Sequence, residues 1–390
     1  MAEQLDVAIV GAGPFGLSIA AHVTRRRARC FGEQMHTWRT RMPREMQLRS
    51  AWEETSLSAP AGAGTIDAWV AAEGERLEPI PLELFLRYSD WFAQRFVPDR
   101  DPHDVARIEP AAGRYRITTT GGDEVDARQV VLAVGVMPFA HVPEPLAGLF
   151  GATVTLATGV PEDLDRLAGR RVLVVGGGQA GLETAGLAAQ AGAAVELVTQ
   201  GELRWFADRE PHYPRSPLRR RLYRLAYPAV GYGPPPLNRL VLHPDLFSAL
   251  PVSARTALTR RLLRSGGSPW LRTLVERSVR VREHCTAAAA QPDGEAVDVT
   301  LTNGVELQVD EVLVACGYRF RLDRLEFLAP ELRERIVVRD GWPVLDRYFR
   351  STDPNVSFVG YAAERRFGPI SRFVLGADFT ANRLARVLDA

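Results

Sequence analysis

Lysine is absent from all 390 residues, so the 48 basic side chains are arginines. That excludes Schiff-base chemistry and the lysine of a phosphate-binding P-loop. Cysteine is scarce. Cys30, Cys285 and Cys316 lie far apart with no CxxC, which leaves neither a zinc-ligand spacing nor a redox dithiol, so no metal is expected and a reducing cytoplasm fits. The 47 acids nearly cancel the arginines, for a formal net charge of only +1. Without a basic excess to neutralise phosphates, nucleic acid is not an expected partner. No apolar run reaches membrane-spanning length, and an apolar strand follows Met1 almost at once, leaving no room for a signal peptide. We therefore expect a cytoplasmic protein, long enough for two or three domains.

What the chain does contain begins at Asp6. An apolar run, Val7 to Val10, feeds Gly11-Ala12-Gly13-Pro14-Phe15-Gly16 and then a helix-patterned segment ending near Arg26. A strand, a glycine turn and a helix in that order bring backbone N–H groups and a helix N-terminus to one point, which suits a pyrophosphate. Gly11 permits the tight turn, Gly13 lets phosphate approach, and Gly16 lets helix and strand pack. The next short strand, about Ala28 to Phe31, ends beside Glu33, a carboxylate placed to accept hydrogen bonds from a ribose.

The proline-broken segment Met35 to Ser50, with Trp38 and Arg39, reads either as a cover over whatever the first turn binds or as a surface loop with a packed tryptophan. Leu82 to Phe96 has the apolar spacing of a core helix. Val105 to Ile108, Arg114 to Thr119 and Glu124 to Arg128 alternate like a small antiparallel sheet turned by Gly121-Gly122. The buried run Gln129 to Gly135 then ends in Ala133-Val-Gly135, and Glu311 to Gly317 repeats it as Ala315-Cys-Gly317; small residues there allow a cofactor or crossing chain to come close. Pro138, Pro143 and Pro145 mark an interdomain linker.

The opening design recurs at Arg171 to Gly181. Gly176, Gly178 and Gly181 frame Gln179 and Ala180, about one domain length after the first turn. The second strand of this unit ends in Thr199-Gln200 without an acid, and Arg204, Arg209 and Arg215 follow. A neutral strand end with guanidinium groups nearby favours the 2′-phosphate of NADP over NAD. From Trp205 to Trp270 prolines and tyrosines interrupt the alternation, and we expect this insertion to fold over a cleft or a partner, with Tyr227 and Tyr232 in its wall. The leucine and arginine cluster of Arg215 to Arg224 reads as a solvated face, with membrane contact the less favoured alternative. Val279 to Arg282, Ala296 to Leu301 and Val305 to Val309 read as strands returning to the sheet. Val356 to Gly360 is a further strand ending in glycine, and Pro369 starts a helix running to Leu388.

Two nucleotide folds, the AxG strands and a terminal strand-glycine-helix together resemble flavoproteins with paired FAD and NAD(P) domains, most closely the flavin-containing and N-hydroxylating monooxygenases, whose Ala-Thr-Gly-Tyr segment is similar to Ala315-Cys316-Gly317-Tyr318. The resemblance implies an α/β fold of two Rossmann-like domains. The FAD domain is discontinuous (1–155 and 311–390), and an NADPH domain (160–310) is inserted with its irregular or helical insertion at 205–270. It implies FAD at Gly11, Gly13, Pro14, Phe15 and Gly16, with Glu33, Trp38, Arg39, Val105, Ala133, Gly135 and Gly360 around it. It implies NADPH at Gly176, Gly178, Gln179, Ala180 and Gly181, with Thr199, Arg204, Ala315, Gly317 and Tyr318 nearby. The helix after Pro369 would point at the flavin, with Arg366, Phe367 and Arg372 in the flavin and substrate environment. The implied reaction is reduction of FAD by NADPH, addition of O2 to the reduced flavin, and transfer of one oxygen atom from the resulting hydroperoxide to nitrogen, sulfur or carbon of a small molecule. A second copy of the chain, in a homo-oligomer, is the one macromolecular partner left open. In many such monooxygenases a Phe-x-Gly-x-x-x-His segment precedes the second domain; here Ala152 and Leu156 replace its glycine and histidine. An NAD(P)H-dependent reductase and a flavin-binding scaffold without turnover are the competing readings.

Overall fold

The computed structural model describes residues 3–44, 46–48, 50–73, 75–159, 164–206 and 237–390. Strand β1 (Glu3–Val10) leads through the first glycine turn into helix α1 (Pro14–His22) and strand β2 (Ala28–Phe31). Helix α2 (Leu82–Phe96) follows, then β3 (Val105–Ala111), β4 (Arg114–Thr119) and β5 (Glu124–Leu132). They form one sheet in the order β2-β1-β5-β4-β3. β1 is parallel to β2 and β5, whereas β3, β4 and β5 are antiparallel. The hairpin foreseen around Gly121-Gly122 is thus continuous with the main sheet, because β5 is long enough to pair β4 with its first half and leave its second half free. Phe85, Tyr88 and Phe92 of α2 are buried, as the spacing of that helix requires.

The second domain holds β6 (Val154–Leu156), β7 (Arg171–Val175), α3 (Gln179–Gln190) and β8 (Ala194–Val198). After α4 (Val252–Leu262) and α5 (Pro269–Ser278) come β9 (Val279–Arg282), β10 (Ala287–Asp293), β11 (Ala296–Leu301), β12 (Glu306–Val309) and β13 (Glu311–Val314). The second sheet is parallel, in the order β6-β13-β7-β8-β9, and β10-β11-β12 form a separate antiparallel sheet. Two sequence-based expectations are corrected here. β11 and β12 do not return to the main sheet; β12 leads directly into β13 and packs as the outer layer. Glu311 to Val314 does not open the returning part of the first domain, because Val312, Leu313 and Val314 are buried between β6 and β7 and Glu311 pairs with Arg166 beside them. The boundary therefore falls after Gly317.

The crossing point is a pair of antiparallel chains: His141 N–H donates to the Gly317 carbonyl at 2.9 Å, and Arg319 N–H to the Phe139 carbonyl at 2.7 Å. The chain then returns as β14 (Val356–Phe358), which pairs with β5 at Val130 to Leu132, where β4 has ended. It joins β5 rather than β1. The terminal helix α6 (Gly376–Leu388) packs on α1 but does not start at Pro369. Pro369–Arg372 forms one 3-10 turn, Phe373 is extended, and the helix restarts at Gly376. A single straight helix could not bury Ile370 against Val241 and Leu262 and also lay its later turns on α1.

Of the insertion, residues 207–236, which include Arg209, the Arg215 to Arg224 cluster, Tyr227 and Tyr232, lie outside the described residues. Its later part is helical, at Leu237–Leu242, Pro244–Ala249 and α4. Among the described residues no helix is long and apolar enough to cross a membrane.

Candidate active site

The two glycine turns are built alike. Gly11 has φ +106°, and a Cβ there would sit 2.5 Å from the Ala133 carbonyl oxygen; Gly176 has φ +125° and meets the Ala315 carbonyl oxygen at 2.3 Å. Each AxG strand end therefore presses on its own glycine turn, which explains why both strands end in small residues. A Cβ on Gly16 would lie 1.8 Å from the Gly11 carbonyl oxygen, and one on Gly181 lies 1.9 Å from that of Gly176. These glycines are packing requirements.

Gly13 and Gly178 differ from them. Among the described residues nothing lies within 4 Å of a Cβ on Gly13, and only Ser265 reaches that distance at Gly178. Both cap their helices from extended backbone, with no side-chain cap and no acid in the first turn. The first N–H groups of α1 and α3 are thus offered to open space under the positive end of each helix. A dinucleotide pyrophosphate fits that donor set at each turn.

Around the first turn, Met35 N–H donates to the Ala12 carbonyl at 3.1 Å, and Gly32 N–H to Asp101 at 2.9 Å. These bonds bring Glu33 and the start of β3, with buried Val105, to the end of β2. Glu33 is exposed and 2.6 Å from His36 Nδ1. Phe15 packs under Gly360, whose Cβ would be 3.6 Å from its ring, and under Gly376. Gly11, Ala133 and Gly360 thereby converge at the C-terminal ends of three adjacent strands. Arg39 donates to the Gln34 carbonyl and pairs with Asp90, tying its segment to α2. Gly135 and Gly317, with φ +69° and +75°, lead into the crossing chains, where the Tyr318 carbonyl accepts from Tyr361 Oη at 2.8 Å.

At the second turn, Gln179 Oε1 accepts from Ser268 N–H and Oγ–H at 2.8 and 3.0 Å, with Ala180 beside it. The Thr199 hydroxyl would be 2.6 Å from a Cβ on Gly177. Arg204 accepts Gly267 N–H with its carbonyl while its side chain is exposed. The segment Ser265 to Ser268, which sequence reasoning passed over, forms one edge of this site.

Between the domains lies a cavity of about 250 Å³. Trp38, Met42 and Leu48 wall it from the first domain, Gln179 and Glu183 from α3, and Ile370 and Phe373 from the C-terminal turn; Val241 of the insertion also borders it. Trp38 is held there by Phe85, 4.9 Å away between ring centres, so the Met35 to Ser50 segment covers a space. Of the three residues expected in the substrate environment, Phe367 is buried against Phe349 at 4.1 Å and is core, since aromatic spacing cannot distinguish a core ring from a cavity ring. Arg372 pairs with buried Glu364 and stacks 4.8 Å over Tyr361. The Arg366 carbonyl accepts from Arg255, and the buried Arg366 Nε has no hydrogen-bond partner among the described residues. None of the three lines the cavity. Glu183, overlooked in the sequence, does. Burial lifts its carboxyl to about 7, opposed by the Gln179 amide. The available signal was that Glu183 is the one charged residue of α3.

The pyridine nucleotide-disulphide oxidoreductase family matches residues 8–225, and again residues 252–373. An FAD-dependent urate hydroxylase of Xanthomonas campestris pv. campestris is 32% identical over 206 residues, covering 48% of this chain and 43% of that protein. A ferredoxin–NADP reductase of Ralstonia nicotianae is 29% identical over 205 residues, covering 51% and 52%. The chain thus spans about half the length of these curated relatives. Among solved structures, the ornithine N-hydroxylase of Kutzneria sp. 744, with reduced FAD, NADP+ and L-ornithine, has the same fold, at a TM-score of 0.75 with 17% identity over 99% of both chains. The three cysteines are free and supply no dithiol, yet two glycine turns, each following a strand with parallel neighbours in its own sheet, and a match over more than half the length leave no doubt of descent: the chain belongs to the pyridine nucleotide-disulphide oxidoreductase family.

Proposed function

We propose that this chain is an FAD-dependent, NADPH-oxidising monooxygenase that places one oxygen atom from O2 on a small organic substrate held between its domains. The observation that carries this reading is the pairing of two uncapped helix N-termini, at Gly13 and Gly178, with one mostly apolar cavity between them. FAD at the first turn would supply hydride acceptance and oxygen chemistry. Two electrons come from NADPH, one oxygen atom goes to the substrate, and the other leaves as water. The residues of this chain bind, orient and keep water out. The Gly11 to Gly16 turn and the ends of β1, β5 and β14 hold FAD; the Gly176 to Gly181 turn, Thr199 and Arg204 hold NADPH. Trp38, Met42, Leu48, Ile370 and Phe373 line an apolar space in which reactive oxygen is kept from bulk water. The hydroxylase names among the relatives and the solved structures support oxygen transfer.

The reductase relative supports a second reading, in which electrons pass to an acceptor without oxygen transfer. Turnover under isotopically labelled dioxygen separates them. We expect substrate-stimulated NADPH consumption and a product carrying one labelled oxygen atom. NADPH consumption that depends on an added electron acceptor, with no oxygenated product from any substrate class, would overturn the proposal in favour of the reductase.

A further inference from the structure

Neither the glycine turns nor the cavity accounts for the arginines gathered where the insertion meets the C-terminal segment. Arg255 of α4 is 8% exposed, and its Nη1 donates to the Arg365 and Arg366 carbonyls, each at 3.1 Å. These bonds dock α4 on the short helix Glu364–Phe367. They leave the charge unmatched. Among the described residues no carboxylate forms an ion pair with Arg255 or Arg366, and the buried Nε of each has no hydrogen-bond partner.

The acids nearby are engaged elsewhere. Arg383 of α6 holds both carboxylate oxygens of Asp245, Arg372 holds Glu364, and Asp340, largely in solvent, reaches Arg365 at 3.4 Å. Arg365 also donates to the Thr256 hydroxyl. Burial first, and then the charges of Arg366 and Arg365, hold the Arg255 guanidinium below its usual value, so the three stand within electrostatic reach of one another. Like charges gathered out of water are costly unless an anion joins them. Three guanidinium charges less the one of Asp340 leave +2. A phosphate group carries about −1.5 to −2 at neutral pH, and guanidinium forks match its oxygens. A carboxylate would leave one charge unanswered.

We propose that Arg255 and Arg366, with Arg365 at the half-buried edge, form a binding site for a phosphate group, carried either by inorganic phosphate or by a small phosphorylated molecule. None of the three lines the cavity, and none belongs to the nucleotide turns. The phosphate joins α4 to the segment that runs on into Ile370. Leu262 of α4 packs with Ile370 and Val241, which border the cavity, so the occupied site fixes that wall.

The test is calorimetric titration of the FAD-loaded protein, without NADPH, at constant ionic strength. The probes are inorganic phosphate, glucose 6-phosphate and, as the singly charged control, acetate. Because Arg204 and the glycine turns are competing phosphate sites, Arg204→Ala and Arg366→Met are titrated beside the parent. At least one phosphate probe should bind about tenfold or more tightly than acetate, and whichever of the two binds more tightly identifies the source. Arg366→Met should weaken that binding about ten- to hundredfold, the size of one charge-assisted hydrogen bond, with FAD content unchanged, whereas Arg204→Ala should change it less than about threefold. Phosphate should also raise the thermal midpoint of the parent and not that of Arg366→Met, a difference that loss of a merely structural arginine would not produce. If Arg366→Met does not fold, Arg365→Met, at the exposed edge, should weaken binding in the same direction. Acetate binding as tightly as both phosphate probes, or phosphate binding that survives these substitutions and is lost in Arg204→Ala, would overturn the site. None of these readouts depends on turnover, so they stand or fall apart from the reaction proposed above.

Discussion

Two substitutions in the first glycine turn separate packing from cofactor binding. At Gly16 a single methyl would stand 1.8 Å from the Gly11 carbonyl oxygen, so α1 and β1 would have to part by well over an ångström. Overpacking that side chains can absorb costs about 1–3 kcal/mol; here backbone must move, and we expect Gly16→Ala to cost about 3 kcal/mol or more. For a domain of ordinary size that lowers the thermal midpoint by roughly 6–12 °C. At Gly13 the backbone is extended, φ −85°, and a Cβ meets nothing within 4 Å among the described residues. Gly13→Val should cost at most about 1 kcal/mol, through a poorer helix cap. If that empty space belongs to the pyrophosphate, however, the branched side chain displaces at least two charge-assisted hydrogen bonds, and FAD affinity falls about a hundredfold or more. The assay is the flavin-to-protein ratio after purification beside the thermal midpoint of flavin-stripped protein, because bound FAD stabilises only the folded state. Gly16→Ala should melt early even when stripped; Gly13→Val should melt with the parent and purify colourless. A fully yellow Gly13→Val, or a stripped Gly16→Ala as stable as the parent, would refute the reasoning.

Arg204, exposed beside the second turn, is expected to meet the 2′-phosphate, so Arg204→Ala should narrow the preference for NADPH over NADH by about ten- to hundredfold in comparative KM measurements; equal use of both by the parent would remove the basis for this. Arg372→Met would leave the buried carboxylate of Glu364 without its ion-pair partner and should cost about 3–5 kcal/mol in denaturant titration at neutral pH, whereas an effect below about 1 kcal/mol would mean that the pair is solvated. Glu183 carries a pH signature. Its folded carboxyl lies at about 7, above the ordinary 4.5, so the folded state binds the extra proton, and the parent loses up to about 3 kcal/mol of stability as pH rises from 4.5 to 7. Glu183→Gln has no proton to lose and should gain on the parent over that window; Glu54 and Asp165, which share the walls, are present in both proteins. Parallel stability curves would contradict the burial argument.

The glycine turns were legible in the sequence because their constraints are local: a positive φ at Gly11 and Gly176, and a helix starting three residues on. The Ala133 and Ala315 strand ends were legible for a related reason, since a residue that must touch a turn has to be small. Sheet membership was not. Glu311 to Val314 is an apolar strand like any other, and only its burial between β6 and β7 assigns it to the second sheet. Phe367 and Trp38 looked alike as aromatic neighbours of a site, yet one is core and the other borders the cavity, a difference set by contacts from α2 and α6 far along the chain. Glu183 was hidden by its setting, because a lone acid in an alanine-rich helix reads as a solvent-facing position until the opposite domain closes over it.

The central claim is that reduced flavin in this protein is used to transfer oxygen. Its most direct test is rapid mixing of the NADPH-reduced, anaerobic protein with oxygenated buffer, followed by absorbance. The account predicts that NADPH bleaches the bound flavin and that the oxidised spectrum returns through a distinct, long-lived intermediate spectrum before hydrogen peroxide appears. Reoxidation in a single step, with hydrogen peroxide released in full yield at the same rate, would contradict it.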